Sequence, residues 1–200
     1  MKNGSMNKTA KTLDAIVKLI GGFAEAFAIV CGVFALLVAV LGEKMYLPGS
    51  MTLELGFVEL KLAEELQVIT TPVILYTVFS LVAGGILCLL VFFGTKLLRK
   101  ILAPMKDGRP FEADTAKNIR SLAWLTLIGG GVHQLCGLAE QLLIAHAYPL
   151  EAVFASDAIV GTELLYSMDL GFVAVFFILL FLSCIFSYGQ SLQQEADETL

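Results

Sequence analysis

Lysine and arginine are absent from the last eighty residues of this chain. All thirteen lie at or before Arg120, and eleven of them fall in two stretches, one ending at Lys18 and one running from Lys96 to Arg120. Charged residues of both signs make up only 16% of the sequence, against about 25% in soluble domains. This shortage excludes an ordinary soluble domain. No segment combines basic and aromatic residues as nucleic-acid-binding surfaces do, so we expect no direct nucleic-acid binding.

The sequence also lacks the short motifs that carry catalysis or a fixed ligand site. It contains no H-E-x-x-H, no G-x-S-x-G and no phosphate-binding glycine loop, and its two histidines point to different helix faces. We therefore expect a non-enzymatic protein with no catalytic residues, no metal and no cofactor. Each of four apolar blocks holds one cysteine: Cys31, Cys88, Cys136 and Cys184. No CxxC pair is present, so we expect these cysteines to pack at contacts between helices. A metal or redox site built from all four helices is the alternative.

Long apolar blocks fill the sequence instead. Hydrophobic residues make up 58% of the chain, and the mean hydropathy is +0.83. A helix that crosses a bilayer needs about 20 such residues, and four blocks are long enough. The sequence therefore predicts an all-α membrane protein, a four-transmembrane-helix bundle with a small extracytoplasmic β-hairpin. The predicted spans are residues 19–41, 72–98, 121–145 and 169–188.

The distribution of positive charge predicts how these spans are oriented. Cytoplasmic loops of membrane proteins are enriched in lysine and arginine. Segments 1–18 and 99–120 are therefore predicted to be cytoplasmic, and the cation-poor loops 42–71 and 146–168 extracytoplasmic. Counting four spans then places the tail, 189–200, in the cytoplasm as well. We expect a multi-pass protein of the cytoplasmic (inner) membrane with both termini inside.

The first extracytoplasmic loop contains a strand pattern over residues 51–62. Apolar and polar residues alternate, and the phase changes at Gly56-Phe57, which suits a two-residue type II′ turn. The predicted cross-strand pairs are Leu55 with Val58, Leu53 with Leu60, and Met51 with Leu62. The other extracytoplasmic loop, 146–168, fits either a short helix or an added strand.

The basic loop between the second and third spans carries a candidate docking site. The second helix is predicted to continue through Leu102 and to end at Pro104, and Asp107-Gly108 is a turn signal. The candidate cytoplasmic docking residues are Arg99, Lys100, Lys106, Arg109 and Phe111. Their cations suit anionic lipid headgroups or a cytoplasmic protein, and both readings stay open.

A second candidate site consists of polar residues inside the spans. Its members are Glu25, His133, Gln134, Glu140 and Gln141. Ionisable residues in a span usually face the interior of the bundle. We therefore expect Glu25 on a buried face of small residues that meets a similar face around His133. The two residues match in depth only if the third helix begins about two turns below the membrane, and Glu140 is expected near the outer surface. Interhelical hydrogen bonding, sensing, transport and ligand binding all remain possible roles.

The basic loop and the tail resemble a known family. The loop contributes Leu98-Arg-Lys-Ile-Leu102, Gly108-Arg-Pro-Phe111 and Asn118-Ile-Arg120, and the tail contributes Tyr188 to Thr199. They are similar to the cytoplasmic loop and C-terminus of a bacterial integral membrane protein family, domain of unknown function 2975, over most of the chain from the first helix to the tail. The resemblance implies four helices and no known enzymatic activity. It also implies a partner, because family members often accompany a small helix-turn-helix DNA-binding protein.

Three function classes follow. The first is a non-enzymatic sensor or regulatory membrane partner, whose own partners are the lipid bilayer and a cytoplasmic DNA-binding regulator. The second is a small transporter or channel that uses Glu25 and His133 as polar pathway residues. The third is a membrane-embedded enzyme, for which only Glu140 and the outer acids are available.

Overall fold

The computed structural model describes residues 3–45, 52–55, 58–61, 70–106, 111, 113–147 and 168–198. Four helices and two strands follow one another in this part of the chain: α1 Asn3–Met45, β1 Thr52–Leu55, β2 Val58–Lys61, α2 Thr70–Lys106, α3 Ala113–Ala147 and α4 Gly171–Glu198. All four helices are long and apolar enough to cross a membrane. The all-α, four-helix class that the apolar blocks predict is confirmed.

Much of the apolar surface of these helices lies outside the protein interior. Val40 is 77% exposed, and Phe23 and Leu135 are each 69% exposed. Large exposed apolar side chains on this scale require a non-aqueous environment, and a helix satisfies its own backbone hydrogen bonds there. The helices also extend beyond the predicted spans. At about 1.5 Å per residue, the 43 residues of α1 measure roughly 64 Å, about twice the hydrocarbon thickness of roughly 30 Å.

The prediction that Pro104 ends the second helix is wrong, because α2 continues to Lys106. Proline removes one hydrogen-bond donor and crowds the preceding turn. Only two residues follow Pro104, so it disturbs the last turn and no turn beyond it. At the other end of α2, Pro72 lies in the first turn, where backbone N–H groups have no partner within the helix in any case.

The two strands pair antiparallel, with Leu53 opposite Leu60 and Leu55 opposite Val58. These pairs are the ones that the alternating pattern predicts. The turn residues 56–57 and the third predicted pair, Met51 with Leu62, lie outside the described residues, as does the ambiguous stretch 148–167. The extracytoplasmic location of the strands stays a prediction.

The chain divides into two compact units. The first contains residues 1–29, 85–134 and 168–200, and the second contains 30–84 and 135–167. Within the second unit, a Cβ built on Gly42 of α1 would lie 3.1 Å from the Ile74 side chain of α2. The glycine therefore lets these two helices approach closely.

In the first unit, neighbouring helices in the sequence pack antiparallel. Gly21 of α1 lies against Thr95 of α2, and Gly94 of α2 lies near Leu122 and Leu125 of α3. Contacts of α3 and α4, together with the residues just before each helix, pair rising residue numbers near α3 with falling ones near α4: Phe111 with Gly189, Ala116 with Ser183, Trp124 with Phe176, Gly130 with Phe172, and Gln134 with Asp169. One of these contacts is a hydrogen bond of 2.8 Å from the Ser183 hydroxyl, which is 2% exposed, to the Ala116 carbonyl.

One narrow face of α1 is buried. Its buried and half-buried positions alternate in spacing between four and three residues: Ala10, Asp14, Val17, Gly21, Ala24, Ala28, Cys31, Ala35, Val38 and Gly42. This average spacing of 3.5 residues is that of helices packed at a small crossing angle. Small residues at most of these positions permit close approach in lipid.

The prediction that Glu25 lies on the buried face of α1 is wrong, because Glu25, Gly32 and Ala39 are all exposed. The predicted face shares Gly21, Ala28 and Ala35 with the observed one. It differs by a rotation of the helix that buries Ala24 in place of Glu25. An unpaired carboxylate between two helices would lose its hydration without compensation, whereas an alanine there costs nothing.

Candidate functional site

An ion-pair cluster links α1 to the end of α2 in the first unit. Asp14 accepts a hydrogen bond of 3.1 Å from Arg99 Nε through Oδ1 and one of 2.6 Å from Lys106 Nζ through Oδ2. Arg99 and Lys106 are seven residues apart and therefore lie on the same side of α2. We call these three residues the ion-pair cluster. Two of the five candidate docking residues, Arg99 and Lys106, therefore form ion pairs within the chain.

The cluster fixes the charge state of Asp14. The hydrogen bond from Lys106, together with that from Arg99, holds the pKa of Asp14 below its usual value of 3.8, although partial burial opposes the shift. Asp14 precedes the apolar block that begins at Leu19, so it lies outside the predicted span. Its side chain is 17% exposed, against 44% for Arg99 and 26% for Lys106. The carboxylate is therefore largely enclosed, while Arg99 keeps much of its surface open.

Other cations lie exposed at the same level of the helices. Lys100 on α2 and Lys117 and Arg120 on α3 are all exposed. The antiparallel register between α2 and α3 places Lys100 at about the level of Lys117. We call Lys100, Lys117 and Arg120 the basic rim. Arg109, another candidate docking residue, lies outside the described residues.

Phe111, the remaining docking candidate, packs against α4. A Cβ built on Gly189 would lie 2.6 Å from its ring, and its ring centroid is 5.5 Å from that of Phe186. The side chain is 36% exposed, so part of the ring remains available. A Cβ at position 189 would require the outer edge of this ring to move. Phe111 thus contacts α4 through Phe186 and Gly189.

An apolar groove of about 340 Å³ lies between α2 and α3 in the first unit. It is lined by Leu87, Leu90, Val91, Gly94, Leu122, Leu125, Thr126, Gly129, Gly130 and Phe172. Its one polar side chain, Thr126, donates its hydroxyl hydrogen to the Leu122 carbonyl at 2.9 Å. Glycines on both helices leave the space open, and nothing in the lining offers a charge or a free hydroxyl. The groove is suited to apolar contact and not to the passage of an ion.

A small polar network lies at the start of α4. Gln134 donates to the Asp169 carbonyl at 2.7 Å, and Asp169 Oδ1 accepts a hydrogen bond of 2.8 Å from Gly171 N–H. The second bond satisfies a backbone donor that the first turn of a helix leaves unpaired. Gln134, predicted as an intramembrane polar residue, therefore helps to position the beginning of α4. His133 beside it is exposed.

The structure does not bring Glu25 and His133 together. Both side chains are exposed. Gly21 lies level with Thr95, and Gly94 lies level with Leu122 and Leu125. On a rise of 1.5 Å per residue, His133 is then about 10 Å further along the bundle than Glu25. Glu140 and Gln141 are half-buried and belong to the second unit.

Asp14 was not among the residues that the sequence singled out. Two signals were available: it is the single acid among the four lysines that precede Leu19, and it shares its seven-residue spacing with Gly21, Ala28 and Ala35. Neither signal identifies Arg99 as its partner, since that residue is 85 positions away.

Four long helices with apolar exposed faces define the chain as a multi-pass membrane protein. It belongs to the family described as "Protein of unknown function (DUF2975)", which matches residues 58–200. This match confirms the resemblance seen in the basic loop and the tail, although it begins at β2, so α1 lies outside it. A search of the curated proteins and a search of the solved structures gave no match.

Proposed function

We propose that this chain is a non-enzymatic regulatory protein of the bacterial inner membrane that docks a cytoplasmic partner at its basic rim. Both termini lie in the cytoplasm in this proposal, and the β1–β2 pair lies on the outer side. The partner class that the family resemblance implies is a small helix-turn-helix DNA-binding regulator. An acidic surface on that regulator would meet Lys100, Lys117 and Arg120.

The observation that carries the proposal is that some cations at one end of the helices are paired within the chain, whereas others are exposed. Asp14 engages Arg99 and Lys106, while the basic rim stays exposed. Exposed cations on packed helices make a fixed electrostatic pattern, which supplies specificity and association rate more than affinity. The packing of Phe111 against Gly189 supports the same role, because docking is cheaper on side chains that are already held in place.

The ion-pair cluster supplies a means of regulation. A signal that moves α1 relative to α2 would separate Asp14 from Arg99 and Lys106. The basic rim would then gain two cations without any change in the sequence. A switch of this kind needs a local charge change and an element with two arrangements, and the α1–α2 contact is that element in our proposal.

The alternative of a transporter or channel receives no support from the geometry of its proposed residues. Glu25 and His133 are exposed and offset along the helices, and the groove between α2 and α3 is apolar. Purified protein in liposomes should therefore show no proton or small-cation flux above that of empty liposomes. Flux that disappears in Glu25→Gln would favour the transporter.

Affinity capture from membranes tests the proposed docking directly. The tagged chain should recover a DNA-binding regulator, and the double variant Lys100→Glu/Lys117→Glu should recover about tenfold less, since like charges then face the acidic partner. The matched control is Lys8→Glu/Lys11→Glu, which makes the same charge change at two exposed residues of α1 and should recover as much as wild type.

Two results would contradict the proposal. One is that no regulator is recovered from membranes under any ionic strength. The other is that both double variants lose capture equally, because net charge and not the basic rim would then decide the interaction.

A further inference from the structure

Glu25 is an ionisable residue on an exposed face of α1, within the predicted span 19–41. It follows Leu19, where the apolar block begins, by six residues, which places it about 9 Å along the helix from that point. The side chain is exposed, and it has no hydrogen-bond or ion-pair partner among the described residues. A carboxyl group in this position faces lipid in a single copy of the chain, and intramembrane ionisable residues are rarely left so.

The helix surface beside Glu25 is shaped for another helix. A Cβ built on Gly22 would meet nothing within 4 Å, so the glycine leaves an open notch. Ala26, four residues later, is also exposed, which makes a small-xxx-small pair that faces outward. Such pairs let two helix backbones approach closely in lipid. Ile29, 62% exposed, continues the same face.

We infer that this face binds a second copy of the chain, in the same orientation in the membrane, with Glu25 of one copy against Glu25 of the other. A two-fold axis along the membrane normal puts both carboxyl groups at the same depth. At close range the two carboxyl groups can form a hydrogen bond to each other across this axis. This pairing gives each Glu25 a partner, and identical copies supply the match in depth automatically.

The small-residue notch and the carboxyl group support the same partner independently. The notch sets how close the two helices come, and the carboxyl group requires a hydrogen-bonding side chain at its own level. A different membrane protein would need both a small-residue face and a polar side chain at this depth. The chain itself already has both.

Energy transfer between donor- and acceptor-labelled copies in phosphatidylcholine–phosphatidylglycerol vesicles tests this inference. Wild type should dimerise as the protein-to-lipid ratio rises. Glu25→Leu should weaken dimerisation about tenfold, since an interhelical polar contact in lipid is of that order. Glu25→Gln should stay within about threefold of wild type, because an amide pair can also hydrogen-bond across the axis. Helix content and thermal unfolding of the monomer should not fall in either variant.

Cysteine cross-linking in a background without the native cysteines locates the interface. Ile29→Cys should form a disulfide between copies. Val30→Cys, the matched control, should not, because this neighbouring exposed β-branched residue points about 100° away.

Three outcomes overturn the inference. They are a wild type that remains monomeric at every ratio, a Glu25→Leu variant that dimerises as well as wild type, and cross-linking at Val30 equal to that at Ile29. Recovery of a different membrane protein cross-linked at Ile29, in place of a second copy, also overturns it.

Discussion

At the scale of single residues, Asp14 joins α1 to α2. It pairs with two cations on another helix, and its carboxylate is more enclosed than either of them. A partly exposed ion pair contributes up to about 1 kcal/mol, so the cluster stabilises the α1–α2 contact modestly. Its greater effect is on which cations at this end of the helices are available.

Replacement of Asp14 by asparagine should lower the free energy of unfolding in detergent by about 1 kcal/mol at neutral pH. The folded protein lowers the pKa of Asp14, so this stabilisation is present above the ordinary value of 3.8. It is lost as the pH falls through the lower folded value. The difference between wild type and Asp14→Asn should therefore be constant above about pH 5 and shrink below about pH 4.

Urea unfolding in mild detergent from pH 3 to 7 measures this difference. Lys100→Gln is the control, because it removes an exposed neighbouring cation outside the ion-pair cluster and should leave stability unchanged. A gap between wild type and Asp14→Asn that does not change with pH would show that the ion pairs are not its source.

At the scale of helices, glycines decide how closely the elements pack. A Cβ on Gly130 would overlap the Phe172 ring, whereas one on the adjacent Gly131 would meet nothing within 4 Å. The two glycines are adjacent in the sequence and have opposite surroundings. Gly130 thus permits the contact between α3 and the start of α4, and that contact also closes one side of the apolar groove.

Gly130→Ala should destabilise the protein by about 1–3 kcal/mol, because the atoms of Phe172 that it meets are near the root of that side chain and cannot move aside cheaply. Gly131→Ala is the matched control and should be neutral or stabilising by up to about 1 kcal/mol, since alanine favours the helix. Thermal unfolding of both variants in the same detergent compares them. Equal effects at the two positions would contradict the packing of Phe172 on Gly130.

The helices and strands were largely predictable from the sequence, but the faces that the helices bury were not. Block length and hydropathy predict four helices, and period-two alternation predicts the pairing of Leu53 with Leu60. Two small-residue faces of α1, one with Ala24 and one with Glu25, are both compatible with the sequence as the buried face. Contacts between distant residues, such as Asp14 with Arg99, select the first face. Local patterns carry no information about them.

At the scale of the whole molecule, charge is distributed unevenly along the chain. The described cations of α2 and α3 lie between Lys96 and Arg120, and the chain beyond them has none. Lys96 lies over the Phe92 ring, with 4.1 Å from Nζ to the ring centroid. A cation over an aromatic ring is suited to the boundary between lipid and water. These features support the proposed orientation.

Labelling with a membrane-impermeant thiol reagent in intact cells checks that orientation. In a cysteine-free background, Glu54→Cys should be labelled without disrupting the cells, because the β1–β2 pair is proposed to lie outside. Lys117→Cys and Glu195→Cys should react only after the membrane is opened. Labelling of Lys117→Cys in intact cells would reverse the orientation and remove the basis for a cytoplasmic docking surface.

The candidate site was predictable in composition and not in arrangement. The run of cations from Arg99 and the aromatic Phe111 stand out in the sequence, and both lie at one end of the described helices. Their contacts depend on tertiary structure: Arg99 and Lys106 bind Asp14, and Phe111 packs on Gly189. The residues that remain exposed, Lys117 and Arg120 among them, look no different in the sequence from those that are engaged.

Partner capture by Asp14→Asn measures whether the ion-pair cluster controls the docking surface. Loss of the carboxylate should release Arg99 and Lys106, so capture of the regulator at physiological salt should rise about threefold or more. Asp14→Glu keeps the charge and should capture as wild type does. Capture by Asp14→Asn that equals or falls below that of wild type, with the protein folded, would contradict the claim that the ion-pair cluster controls the docking surface.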